Sequence, residues 1–150
     1  MTSCLLACCL VCGTGCGDSA ASERTNSTAR TGQADSATSR AALEKALGVA
    51  LPETTQLIMY EHELGIDDMQ RAKLRMSTPD FEKIAARLPV TPDAMSPGAG
   101  YLGSDDGGWD PNATPGMIAG QAALPGARYI NIGFATLGEF VTMFVMEHGT

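Results

Sequence analysis

The chain has 150 residues, of which 44% are hydrophobic, enough for one ordinary domain with a packed core. Its formal net charge is −7, and all of it lies in residues 41–150, where acids outnumber bases two to one. A surface of that sign repels phosphate backbones, which argues against nucleic-acid binding.

All five cysteines fall in the opening stretch CLLACCLVCGTGC, residues 4–16. A structural zinc site usually joins two separated ligand pairs around a folded loop. Here the thiols crowd together, Leu5, Leu6, Leu10 and Val11 fill the gaps, and no second pair follows. A disulfide framework would have nothing to staple, because residues 17–150 contain no cysteine. Residues 4–15 are uncharged and mostly apolar. They are too short for a membrane-spanning helix, which needs about 20 residues, but they match the hydrophobic region of a signal peptide.

The small residues Gly13-Thr14-Gly15 then lead into Cys16, in the string GCGDS. This segment resembles the lipobox of bacterial lipoproteins, a likeness that reaches to about Asp18. The resemblance implies that residues 1–15 are a removed leader and that Cys16 carries a diacylglycerol thioether. The membrane would then be a partner through the acyl chains on Cys16. Two or more chains give stable attachment, at about 0.8 kcal/mol per buried methylene. Gly17, where an aspartate would favour retention at the inner membrane, implies the outer membrane in a Gram-negative host. Plain secretion and an uncleaved apolar tail are the alternatives.

Residues 17–40 contain no hydrophobic residue other than alanine. Such a composition cannot bury enough surface to offset ordering entropy, which predicts a disordered tether over residues 16–40. A single domain is expected over 41–150. A first helix is predicted from about Arg40 to Leu47, capped by Ser39 and closed by Gly48. Residues 55–64 and 68–76 alternate apolar and polar around a turn near Ile66, which reads as a β-hairpin. That register sets Glu61 across from Arg71 and turns Ile58, Tyr60, Ala72 and Leu74 toward the core. The string STPDFEKIAARLP places Thr78 as N-cap, Pro79 at the first helical position and Phe81, Ile84, Ala85 and Leu88 on one stripe.

A proline- and glycine-rich loop is expected over 89–113, and a second Thr-Pro start signal predicts a short helix from Pro115 to Leu124. Two strands close the chain, near 128–134 and 139–147. The string FVTMFVME is apolar on both faces, as a central strand requires. The expected fold is α+β: an antiparallel sheet of about four strands from two hairpins, with helices packed on one face.

Candidate chemistry is sparse. Gly98–Gly103 matches G-x-G-x-x-G in letters, but neither a strand before it nor a helix after it is expected, so no nucleotide cofactor follows. Asp105, Asp106 and Asp110 make an oxygen-rich loop without the spacing of a calcium-binding hand, and no metal or other cofactor is expected. Tyr101 and Trp109 make the same loop a candidate partner-binding surface, unless Trp109 folds back as a lid on the core. In the string EHE, Glu61 and Glu63 share one face of a strand and His62 takes the other, so the three cannot converge. No nucleophile arrangement is recognisable. The expected function is a membrane-anchored protein of the cell envelope, facing the periplasm, acting by non-enzymatic binding or as a structural module. An inhibitor-like module acting on an envelope enzyme, or a carboxylate-dependent hydrolase, is the alternative.

Overall fold

The structure, a computed structural model, describes residues 36–65 and 68–149. Cys16, the leader and residues 17–35 of the expected tether lie outside the described residues, as does the turn at Ile66 and Asp67. The first helix, α1, runs Ser36–Leu47 and so takes in the last five residues assigned to the tether. Strands β1 (Gln56–Glu63) and β2 (Met69–Ser77) follow, then helix α2 (Thr78–Ala85). A two-residue β3 (Ser96–Pro97) precedes β4 (Ile118–Leu124), β5 (Arg128–Leu137) and β6 (Phe140–Gly149). All pairings are antiparallel, in the order β1-β2-β6-β5-β4-β3. The fold is mixed α+β, and the expectation of about four strands is corrected to six.

Two of the six were hidden in the loop and in the segment read as a helix. The expected helix over 115–124 carries too little hydrophobic bulk to be amphipathic, and Gly116 and Gly120 interrupt it further. Gly116 sits at φ 72°, in the left-handed region, and turns the chain into β4. The small residues of β4 and its neighbour reflect close cover on both faces. A β-carbon at Gly120 would lie 2.7 Å from Val90 Cγ1, and one at Gly133 on β5 would lie 2.6 Å from Leu102 Cδ1.

The β1–β2 register pairs Glu61 with Arg71 and Tyr60 with Ala72, as the alternation predicts. The assignment of Ile58 to the core is corrected. A bulge between Leu57 and Met59 leaves Ile58 opposite no residue, so Leu57 and Tyr60 face inward and Ile58 is 53% exposed. The cap assignments shift as well. Ser39 lies inside α1 and is buried, whereas Gly48 at φ 65° does close that helix. Ser77, one residue before the expected cap, accepts from the Asp80 backbone N–H at 3.2 Å.

One face of the sheet carries the larger core. Ala72, Leu74 and Met76 of β2, Val141, Met143 and Val145 of β6, and Ile130, Ile132 and Phe134 of β5 meet Leu43 and Leu47 of α1 and Phe81 and Ile84 of α2. Helix α1 has little amphipathic character, and polar bonds help to seat it. Arg40 Nη2 donates to the Pro52 carbonyl at 2.8 Å, and Glu44 Oε1 accepts from the Leu51 N–H at 2.9 Å. After α2 the chain crosses the β4 edge through β3 and covers the opposite face with residues 98–117. There Ala99, Leu102, Trp109 and Met117 form a second core with Ala119, Ala135 and Phe144. Strand β6 lies between β2 and β5, which accounts for its two apolar faces.

Candidate functional site

The loop singled out by the sequence is docked on the sheet. Asp106 and Trp109 exchange both backbone hydrogen bonds at 2.6 Å around Gly107 and Gly108. The two glycines sit at φ 50° and 97°, which a two-residue turn of this hand demands. The turn sends the carboxylates to separate partners. Asp106 Oδ2 accepts from Arg71 Nη2 at 3.0 Å and Asp110 Oδ1 from Lys73 Nζ at 2.6 Å. Asp105 Oδ1 accepts from the Asn112 backbone N–H at 2.8 Å. Asp106 and Asp110 are therefore counter-charges to the outward basic row of β2, and Asp105 braces the loop itself. Burial works against the charged form of Arg71, but hydrogen bonds and charge from Asp106 and Glu61 outweigh it and raise its pKa. Among the described residues no group of three or more His, Cys, Asp or Glu side chains is placed to hold a metal ion.

Trp109 is 1% exposed. Its Nε1–H donates to the Leu102 carbonyl at 2.9 Å, and its ring meets Phe144 edge-on with centroids 5.1 Å apart. It is thus the anchor that fastens the loop, and not an accessible contact. Tyr101, at 62% exposure, is the aromatic that this loop leaves at the surface. The Tyr101 carbonyl accepts from Asn131 Nδ2 at 2.9 Å.

A second place was not identified from the sequence. A cleft of about 760 Å³ opens between α1 and the ends of the strands on the helix-bearing face. Its floor is a polar row where the rest of that face is apolar. The pairing of Gln70 with both His62 and Glu147 aligns three inward-facing polar positions across β1, β2 and β6. Glu147, 8% exposed, accepts from Gln70 Nε2 and, at 2.7 Å, from Arg128 Nε. Arg128 Nη1 also reaches Asp68 Oδ2 at 3.4 Å, and Asp68 Oδ1 lies 2.7 Å from His62 Nε2. Tyr60 closes the row by donating to Gln70 Oε1 at 3.1 Å. Burial raises the Tyr60 pKa, and the charges of Asp68 and Glu147 add to the rise. The hydrogen bond to Glu147 raises that of Arg128 against the opposing effect of burial.

The roof of the cleft is α1, which brings Ser39, Ala42 and Ala46 to it. Their short side chains leave the space open. Ser39 is 1% exposed, and among the described residues its hydroxyl has no hydrogen-bond partner. The face rule applied to EHE does hold: Glu61 is on the outer face with Arg71, and His62 turns inward to this cleft. The overlooked signal was the presence of Tyr60, His62, Gln70, Arg128 and Glu147 near strand ends, at positions where an inward side chain should be apolar.

Among the described residues no helix is long and apolar enough to cross a membrane. No protein-family model, curated protein or solved structure compared with the chain matches it.

Proposed function

We propose that the chain is a lipid-anchored protein of the bacterial cell envelope, attached through Cys16, whose folded region works by binding through the cleft beneath α1. The observation that carries the binding reading is the closed polar row on the cleft floor. Both carboxylates there already accept hydrogen bonds, Glu147 from Arg128 and Gln70, and Asp68 from Arg128, with His62 beside it. A general acid or base needs a carboxyl aimed at a reacting group, and this arrangement favours recognition over hydrolysis. The lipobox-like segment ending at Cys16 supports the attachment, with residues 17–35 as the spacer and the outer membrane favoured by Gly17. A second reading, contact with an envelope protein through the 98–117 loop, draws on the exposure of Tyr101 and of Asp105 and Asp106.

Expression of the full chain in a bacterial host, followed by mass spectrometry of the membrane extract, tests the anchor. The expected product begins at Cys16 with a diacylglycerol adduct, and Cys16→Ser moves the protein out of the membrane fraction. An intact chain in the cytosol with residues 1–15 attached and Cys16 unmodified would overturn the proposal.

A further inference from the structure

We infer that the cleft beneath α1 takes a small neutral polyhydroxylated ligand, a mono- or disaccharide. The inference rests on the cleft being a binding site and is independent of the lipid anchor. Its first support is Ser39. A buried hydroxyl with no partner among the described residues is an unfavourable thing for a fold to keep, and Ser39 is 1% exposed. Ser39 lines the cleft with its Oγ closed to solvent as α1 stands, so a bound hydroxyl or carbonyl completes it once α1 shifts to admit the contact.

The second support is charge. Lys45 and Arg128 balance Asp68 and Glu147 around the cleft, with histidine counted as neutral. Arg128 is engaged with both acids, and Gln70 and His62 hold their other oxygens. A phosphate would find no surplus of cations beyond Lys45 at the rim. The ammonium of a zwitterion would find no carboxylate without a donor already on it. The third support is what remains: the hydroxyls of Thr38 and Ser39, and the further bonding capacity of the Tyr60 hydroxyl as acceptor and the Gln70 amide as donor, beside an apolar patch of Ala42, Ala46, Leu124 and Pro125. A sugar presents the same two surfaces, a hydroxyl edge and a C–H face. The volume of about 760 Å³ lies within the range of small-molecule sites.

Calorimetric titration of the detergent-solubilised full chain tests the assignment. The probes are glucose, N-acetylglucosamine, cellobiose and diacetylchitobiose, with inorganic phosphate and glycylglycine as contrasts. At least one saccharide should saturate at one per chain. Ser39→Ala should weaken that saccharide about three- to tenfold, the loss of one neutral hydrogen bond. The same variant should raise the melting temperature of the unliganded protein, since it removes a hydroxyl without a partner. Ala46→Leu, which fills the cleft from the roof, should abolish binding while far-UV circular dichroism stays unchanged. Saturation by phosphate or glycylglycine instead, still blocked by Ala46→Leu, would overturn the saccharide class and leave the cleft as a site. No heat from any probe at tens of millimolar, or saccharide binding indifferent to both variants, would overturn the cleft reading as well.

Discussion

At Gly133 a β-carbon would lie 2.6 Å from Leu102 Cδ1 and 3.1 Å from the Ile118 carbonyl oxygen. Leu102 is itself 1% exposed and has little room to retreat. Gly133→Ala should therefore destabilise the protein by about 1–3 kcal/mol, the usual effect of overpacking, read as a lower urea midpoint. Gly108 differs in cause: nothing lies near its missing side chain, and only its φ of 97° opposes substitution. Asp80 supplies the pH dependence that can be located. Hydrogen bonds from Lys83, Thr54 and Ser77 lower its pKa from the ordinary 3.8 to about 2. A carboxyl depressed on folding contributes stability above its unfolded pKa and loses it as pH falls through the folded value. Melting temperature should therefore drop between about pH 4 and pH 2, and Asp80→Asn should flatten that part of the profile. An identical drop in the variant would show that other acids cause it.

The 98–117 loop is held by two kinds of interaction of unequal strength. The Arg71–Asp106 and Lys73–Asp110 pairs expose their acids by 64% and 44%, so each is worth at most about 1 kcal/mol. Trp109 packs its whole ring and satisfies its N–H, and Trp109→Ala should cost about 3–5 kcal/mol. Denaturant titration of Lys73→Met and Trp109→Ala side by side would rank them, and comparable losses would contradict the ordering. Local elements were legible where a few neighbouring residues decide them. The Ser-Thr-Pro-Asp start of α2 and the Glu61–Arg71 register are both set within about ten residues of chain. Strand β4 was not legible, because its alanines and its Gly120 mean close cover by Val90 and Met95, which arrive from elsewhere. The Thr-Pro signal before it caps no helix; Thr114 Oγ1 donates to the Asp110 carbonyl in the turn.

For the molecule as a whole, β6 ties the two cores together. Val141, Met143 and Val145 enter the core beneath the helices, while Phe144 enters the one beneath the loop. Loss of either layer strips one side of a central strand, so unfolding should be a single transition. The lone tryptophan reports on the loop layer and far-UV circular dichroism on the sheet, and their urea midpoints should coincide. A tryptophan signal that moves first would mean that the loop peels away alone. The cleft was beyond the sequence for a related reason. Its floor needs Gln70 beside Glu147, a pairing that spans 77 positions, and no periodicity within one strand reveals it.

The two borders of the sheet are finished differently. At one of them β3 pairs with Ile118 and Ala119 of β4, whereas among the described residues no strand pairs with the outer flank of β1 along Gln56–Glu63, bent at Ile58. Should copies of the protein zip together by backbone bonding, the long β1 flank offers a neighbour eight residues, whereas the other border offers only the short part of β4 that β3 leaves uncovered. Association by that route favours a closed pair joined along two β1 flanks over an ever-lengthening ribbon.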